Sequence, residues 1–208
     1  MLVSGKDGDL VDAYLKELEQ VVRDMPRDAI WEVIHVLMDA WRRGSQIFLL
    51  GNGGSAATAS HMTNDLNKYT IVPGQARFKA MSLADNIPLM TAWGNDTAYE
   101  NIFVEQMRNF LEPGDVAIGI SASGNSPNVL KALQYARDQG AIAVGLTGRN
   151  GGALRHVVDY CILVPSDHIG QQEDAHMILD HLIASTLRQL IEQEASLVRH
   201  PGQEEREL

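Results

Sequence analysis

Short, mainly apolar runs alternate with segments of helical character along most of the chain, and this alternation constrains the fold more than any other feature. We predict buried strands at 46–50, 78–83, 115–120, 141–147 and 159–164. A strand covered on both faces is apolar along its length and does not alternate with polar residues. The pattern therefore predicts an α/β fold, a three-layer α-β-α sandwich on a flavodoxin-like parallel sheet.

Two helices precede the predicted sheet. Leu10 to Met25 carries apolar residues on one stripe, and Pro26 opens a second amphipathic segment that Gly44 ends. Further helices are expected at 52–68, 86–93, 97–110, 127–139, 151–156 and 171–194. We expect a single domain over 1–208, with N-terminal helices at 10–43, a sheet-and-helix core at 46–195 and a polar tail at 197–208.

Charge and composition narrow the classes of function. The net charge of −10 argues against nucleic-acid binding, which needs clustered Lys and Arg. The single cysteine, Cys161, lies in an apolar run and cannot form an internal disulfide. The sequence has neither a signal pattern at its start nor an apolar run of the ~20 residues that span a bilayer. We therefore expect a cytoplasmic protein that binds neither nucleic acid nor membrane.

A small-residue loop follows the first predicted strand and opens a helix. It contains Asn52, Gly53, Gly54 and Ser55. Free amides at a helix start, together with the positive end of the helix dipole, suit an anion. The loop has neither the Gly-Lys-Ser/Thr ending of a P-loop nor the G-x-G-x-x-G spacing of a dinucleotide site. By itself it also fits a tight turn that serves only strand-to-helix packing.

A serine-rich loop follows the third predicted strand and also opens a helix. Three hydroxyls, at Ser121, Ser123 and Ser126, lie within six positions before Pro127, and Ala122 lies between the first two. A turn that only caps the helix needs one hydroxyl, so three favour capture of a phosphate, although the capping alternative stays open. Neither loop has a nearby Lys for a nucleotide triphosphate, and neutral hydroxyls and amides suit a sugar monophosphate.

The two loops together carry a resemblance to a known family. The motif G-N-G-G-S-A, followed about seventy residues later by S-x-S-G-N-S-P-N, resembles the SIS (sugar isomerase) domain, and the pattern is nearest to the phosphoheptose isomerases. The resemblance spans roughly 10–194. It implies isomerisation of sedoheptulose 7-phosphate to D-glycero-D-manno-heptose 7-phosphate through an enediol.

The same resemblance implies a homotetramer with sites between subunits. The second predicted helix agrees with this expectation, because it carries enough apolar residues to need another subunit to cover them. Its apolar residues are Ile30, Trp31, Ile34 and Trp41.

Acid-base candidates lie on two predicted helices. His61 and Asp65 are spaced i, i+4 and project from one face of the helix after the first loop, whereas Glu173 and His181 lie on the long C-terminal helix. An aldose–ketose isomerase needs one group that removes a proton next to a carbonyl and one that moves protons between two oxygens, and a carboxylate with a histidine is the minimal set. The resemblance assigns these catalytic roles to Asp65 and His181.

The resemblance also implies a zinc site. The matching positions are His61, Asp65, Glu173 and His181, where Asp65 replaces the usual Glu and Glu173 the usual Gln. Because a carboxylate replaces the usual amide, this His/Asp/Glu/His set is a stronger ligand set for Zn²⁺ or a similar divalent ion than the usual one. Each pair taken alone also fits a solvated helix face.

The substrate contacts expected from the loops and the resemblance form a larger set. They are Asn52, Gly53, Gly54, Ser55, Asn95, Asp96, Ser121, Ala122, Ser123, Ser126 and Glu173. The Asn95-Asp96 pair also fits a plain helix N-cap before Thr97. Two other functions remain open: an SIS enzyme acting on another phosphosugar, and a non-catalytic SIS protein that binds a sugar phosphate or a replication initiator. The acid-base set argues against the second.

Overall fold

The computed structural model describes residues 5–199 and contains a five-stranded, wholly parallel sheet in the order β2-β1-β3-β4-β5. The strands are β1 Gln46–Gly51, β2 Lys79–Ser82, β3 Val116–Ser121, β4 Ile142–Gly148 and β5 Tyr160–Val164. This is the flavodoxin-like order, in which the direction of winding reverses between β1 and β3. The predicted α/β fold is confirmed, and each predicted strand is present within two residues of its expected bounds.

The central strands are buried on both faces. In β1, Leu49 packs into one apolar cluster and Phe48 into another, because successive side chains point to opposite faces of a sheet. The first cluster contains the buried faces of the helices before β1 and of the last helix, and the second lies under the helix after β3. This burial on both faces explains why these strands are continuous apolar runs.

Eight α-helices lie in the described chain. They are α1 Gly5–Arg23, α2 Arg27–Arg43, α3 Gly54–Asn64, α4 Ile87–Asp96, α5 Val104–Met107, α6 Pro127–Asp138, α7 Leu154–Val157 and α8 Ile169–Arg199. A π-helical turn, Asp65–Tyr69, continues α3, and a 3₁₀ turn, Tyr99–Asn101, precedes α5. None of the helices in this part of the chain is long and apolar enough to cross a membrane.

The single helix predicted at 97–110 is wrong. Ala98 is extended, with φ −155° and ψ 152°, and only a 3₁₀ turn and one short helix follow it. Tertiary contacts account for the break: the buried amide of Gln106 donates to the carbonyls of Leu83 and Ile102. Burial of this polar side chain therefore overrides the helical pattern of the segment.

The second helix packs differently from the expectation. Ile30, Ile34 and Trp41 are buried within this chain, and the indole of Trp41 donates to the carbonyl of Ala76. Only Trp31 of the four apolar residues is exposed. The burial of the other three therefore does not require a second subunit. The predicted polar tail at 197–208 lies almost wholly outside the described residues.

Candidate active site

The two predicted phosphate loops lie side by side at the carboxyl edge of the sheet. Strands β1 and β3 are direct neighbours, with Gly51 opposite Ile120. The side-chain amides of Asn52 and Asn128 bridge the loops by two reciprocal hydrogen bonds of 2.9 and 2.8 Å. This edge, at the point where the winding of the sheet reverses, is where open α/β sheets bind their ligands.

The first loop combines tight packing with an open helix start. A Cβ at Gly51 would lie 2.7 Å from the backbone oxygen of Ser55, so that glycine serves packing. Gly53 has φ 55° and ψ −122°, a conformation that favours glycine, and a Cβ there would meet no atom within 4 Å. No side chain makes a capping hydrogen bond to α3, so the amides at its start remain available to an anion.

The second loop also precedes a helix whose start has no side-chain cap. Ser126 is at the N-cap position of α6, but its hydroxyl makes no capping bond and instead lies 3.2 Å from the hydroxyl of Ser121. Ser123 is exposed, and its hydroxyl accepts a hydrogen bond from the amide of Asn125. The alternative in which this loop merely caps the helix is therefore not what the structure contains.

Helices α3 and α8 bring the predicted acid-base residues together. The Nε2 atoms of His61 and His181 are 3.1 Å apart, and the rings meet edge to face with centroids 5.1 Å apart. Asp65, the first residue of the π-helical turn, has Oδ2 3.9 Å from Nε2 of His61. The expected shared face of His61 and Asp65 is confirmed, and π-helical turns are frequent at functional sites.

Asp180 is a fourth member of this group, and the sequence analysis missed it. Ligand atoms of His61, Asp65, Asp180 and His181 all lie within 4.8 Å of one another. Asp180 is fully buried, and among the described residues neither of its carboxylate oxygens has a hydrogen-bond partner. Burial, together with the charge of Asp65, raises the pKa of Asp180 to about 7, and the charge of His181 acts in the opposite direction.

The donor set of this group fits a divalent cation. Two imidazole nitrogens and two carboxylates are ordinary Zn²⁺ ligands, and donors at ~2.0–2.1 Å from a tetrahedral zinc lie about 3.4 Å apart. The 3.1 Å between the two Nε2 atoms is close to that spacing, and the buried carboxylate of Asp180 has no other partner among the described residues.

Glu173 lies away from the group. A Cβ at Gly54 would lie 2.7 Å from its Oε1 atom, so the carboxylate rests against the start of α3, where a negative charge is favourable. Eight residues of α8, a rise of about 12 Å, separate Glu173 from His181. The structure thus gathers three of the four predicted metal ligands, and Glu173 instead adjoins the first of the two loops predicted to bind phosphate.

Comparison with known proteins agrees with this geometry. A family model described as the SIS domain matches residues 12–148. The chain is 38% identical over 189 residues to phosphoheptose isomerase 2 of Campylobacter jejuni. The alignment covers 88% of this chain and 90% of the relative. The chain belongs to the SIS-domain family of phosphoheptose isomerases.

Solved structures of phosphoheptose isomerases superpose over most of the chain. The protein from Neisseria gonorrhoeae has a TM-score of 0.80 at 26% identity, and the superposition covers 86% of this chain and 97% of the Neisseria chain. The protein from Francisella tularensis has a TM-score of 0.81 at 26% identity, and the superposition covers 88% of this chain and 98% of the Francisella chain. The predicted resemblance to the phosphoheptose isomerases is thereby confirmed.

Two predicted substrate contacts lie at the end of α4. Asn95 and Asp96 are exposed, and the Asn95 amide donates to the Asp96 carboxylate at 2.8 Å. Because they end a helix rather than begin one, the N-cap alternative is wrong. The segment that follows does reach the first loop, since the hydroxyl of Tyr99 donates to Oδ1 of Asn52 at 3.0 Å.

An open cavity of about 300 Å³ adjoins the acid-base group and is lined by Asp65, Tyr69, His181 and Ser185. A larger cavity, of about 610 Å³, lies at the end of β2, and none of the predicted site residues lines it. The smaller cavity therefore opens beside both residues that the sequence predicts to be catalytic, Asp65 and His181.

Proposed function

We propose that this protein is an aldose–ketose isomerase that converts sedoheptulose 7-phosphate to D-glycero-D-manno-heptose 7-phosphate. One observation carries the proposal: in a member of the phosphoheptose isomerase family, α3 and α8 place a carboxylate and two imidazoles in one group, beside an open cavity. A histidine–carboxylate pair is the minimal machinery for moving protons between adjacent carbons and oxygens.

The phosphate of the substrate binds at the two loops. The hydroxyls of Ser55, Ser121, Ser123 and Ser126 donate to its oxygens, and the uncapped starts of α3 and α6 supply amides and a favourable dipole. Gly53, Gly54 and the backbone of Ala122 allow close approach. Glu173, which adjoins Gly54, accepts from a sugar hydroxyl. Asn52, Asn95 and Asp96 complete the predicted contacts.

The chemistry needs two proton movements. In the ketose the carbonyl is at C2; a C1–H bond breaks as a proton goes to the enzyme, O2 gains a proton, and the 1,2-enediol forms. The proton on O1 then leaves, a C2–H bond forms, and C1 becomes the carbonyl. Asp65 and His181 divide these transfers between them. Both adjoin the cavity, so the same two groups can reach C1, C2 and their oxygens.

His61, Asp65 and His181 would hold Zn²⁺ or a similar divalent cation, whereas Glu173, the fourth ligand expected from sequence, lies outside this group within one chain. Such a cation, when bound, polarises the carbonyl and stabilises the negative charge that develops on its oxygen. The ligand atoms of the first three residues already lie within 4.8 Å of one another.

The proposed enzyme acts in the cytoplasm as a homotetramer with sites between subunits. Apolar side chains on the outer face of α1, at Leu10, Val11 and Leu15, are largely exposed and would be covered in such an assembly. Light scattering on the purified protein is expected to give four times 22.9 kDa, about 92 kDa. A mass near 23 kDa would contradict the assembly.

The test is incubation of the purified protein, without a histidine tag, with sedoheptulose 7-phosphate, followed by NMR of the aldose product. We expect turnover that EDTA abolishes and Zn²⁺ restores. Turnover of another ketose phosphate alone would instead indicate a different SIS enzyme. Phosphate-ester binding without any turnover would indicate a non-catalytic SIS protein.

A further inference from the structure

We propose that Tyr99 is a positioning residue of the phosphate site, because its hydroxyl holds the side chain of Asn52 in the orientation that presents an N–H group to the anion. The inference rests on the proposed function, since it concerns how that same site binds its substrate. It gives a role to a residue that neither the motifs nor the spacing of the sequence indicated.

The first argument is the hydrogen bonding of the Asn52 side chain. Its Oδ1 atom accepts from the Tyr99 hydroxyl at 3.0 Å and from Nδ2 of Asn128 at 2.8 Å. A side-chain carbonyl oxygen has two lone pairs, so both are in use. The Nδ2 atom of Asn52 donates one of its two hydrogens to Oδ1 of Asn128 at 2.9 Å. This nitrogen has no other partner among residues 5–199, so one N–H group remains for a ligand.

The second argument is that the orientation of this amide pair is fixed at both ends. Two paired amides can exchange the places of their oxygen and nitrogen atoms and still form two bonds. The backbone N–H of Val129, which can only donate, prevents this at one end by donating to Oδ1 of Asn128 at 3.0 Å. The Tyr99 hydroxyl acts at the other end by donating to Oδ1 of Asn52. Without that hydroxyl, one lone pair of Oδ1 is unsatisfied and the amide can turn it toward the loop, where a carbonyl oxygen repels an anion.

The third argument is the way in which Tyr99 is held. The hydroxyl of Thr97 donates to the carbonyl of Trp93 in α4, and the ammonium group of Lys131 in α6 donates to Oδ1 of Asn101 at 2.7 Å. The chain is therefore tied to a helix on each side of Tyr99. The Tyr99 side chain itself is 60% exposed, so the hydrogen bond of its hydroxyl, and not burial of its ring, is what connects it to the first loop.

The test compares the full-length wild type with Tyr99→Phe, which removes only the hydroxyl. The matched control is Tyr135→Phe, about two turns after the start of α6, where the tyrosine ring lies 5.0 Å from the guanidinium carbon of Arg108. With sedoheptulose 7-phosphate, Tyr99→Phe should raise KM about 3- to 10-fold, the effect of one neutral hydrogen bond, and leave kcat within about twofold. Titration calorimetry should show inorganic phosphate binding weakened by the same factor. The control should leave all three quantities unchanged.

A double-variant cycle shows whether Tyr99 acts through Asn52. In the Asn52→Ala background, Tyr99→Phe should have no further effect on the affinity for inorganic phosphate, because the amide that the hydroxyl orients is gone. A general loosening of the chain around Tyr99 would instead weaken binding by the same factor in both backgrounds.

A melting curve separates lost orientation from lost stability. Water competes for both partners of an exposed hydrogen bond, so the loss of this bond should change the stability of the fold little. We expect the Tm of Tyr99→Phe to stay within about 3 °C of the wild-type value.

Three results would overturn the inference: wild-type phosphate affinity in Tyr99→Phe, equal losses in the wild-type and Asn52→Ala backgrounds, or no binding of inorganic phosphate by the wild type. Failure of the proposed function is distinct, because it shows as absence of turnover of sedoheptulose 7-phosphate by a wild-type protein whose binding of inorganic phosphate still depends on Tyr99.

Discussion

The imidazoles of His61 and His181 meet with their Nε2 atoms 3.1 Å apart, although 120 residues of chain separate them. Helices α3 and α8 run side by side in the same direction: Gly54 adjoins Glu173 at one end, and His61 meets His181 about two turns further on. The relative position of the histidines is therefore set by the packing of two whole helices.

Replacement of either proposed catalytic residue, Asp65 or His181, should lower turnover without unfolding the protein. Asp65→Asn and His181→Asn are each expected to reduce kcat by about 10²–10⁴, because each removes a proton-transfer group. Asp138→Asn, an exposed change on α6, is the control and should retain wild-type kcat. Steady-state kinetics with sedoheptulose 7-phosphate, beside a melting curve for each variant, checks this. Wild-type kcat in Asp65→Asn would refute the assignment.

The serine loop should control substrate affinity. A hydrogen bond to a charged group contributes about 1.5–3 kcal/mol, so Ser123→Ala and Ser126→Ala should each lower kcat/KM by roughly 10–100-fold. Ser45→Ala, which lies just before β1 at the opposite edge of the sheet, should leave kcat/KM unchanged. If both loop variants had wild-type kcat/KM, the phosphate would have to bind elsewhere.

The Asn52–Asn128 pair should couple the two loops energetically. Each single change to alanine removes both bonds of the pair from the remaining amide and should cost about 1–3 kcal/mol of unfolding free energy. The double variant should cost less than the sum, with a coupling of about 0.5–3 kcal/mol measured by urea unfolding. Asn109→Ala, an exposed control, should change stability little. Strict additivity would show that the two bonds contribute nothing to holding the loops together.

A buried histidine should make the fold sensitive to acid. Both ring nitrogens of His176 lack a hydrogen-bond partner of normal geometry among the described residues; burial lowers the pKa to about 4, and the backbone of Thr147 acts more weakly to raise it. The unfolded chain, with a pKa near 6.5, gains the proton first. Stability is therefore complete above pH ~6.5 and falls by about 3 kcal/mol as the pH drops to ~4.

The comparison variant for this prediction is His176→Gln, which has no titrating ring. Its unfolding free energy should fall less steeply than that of the wild type between pH 6.5 and 4, measured by urea unfolding at each pH. Parallel pH profiles for the two proteins would contradict the role given to His176.

The sheet and its order follow from local sequence pattern, which is why they could be predicted. A strand such as Val116–Ser121 is buried along its whole length, so its apolar run has one interpretation. The segment at 97–110 was mistaken because its break depends on a buried amide, Gln106, which donates to the carbonyl of Leu83 outside the segment as well as to Ile102 within it. The spacing of apolar residues indicates a helical face, but it does not indicate which distant carbonyl a side chain will bind.

The parts of the candidate site that depend only on the spacing of residues in the sequence could be predicted. His61 and Asp65 share a face at i, i+4, and each loop follows a strand. Asp180 was missed because it adjoins His181 in sequence and resembles one more charged residue on a helix. Its place on the stripe of buried residues with Leu179 and Ile183 was the available signal, since an acid at a buried position needs a partner.

The central claim is that Asp65 and His181 isomerise the sugar by moving protons, and isomerisation in D₂O tests it most directly. The exposed histidines exchange with solvent, so a proton taken from C1 should be replaced, and NMR should show deuterium at C2 of the aldose 7-phosphate. An aldose product whose C2 carries only the hydrogen transferred from C1 would contradict the account.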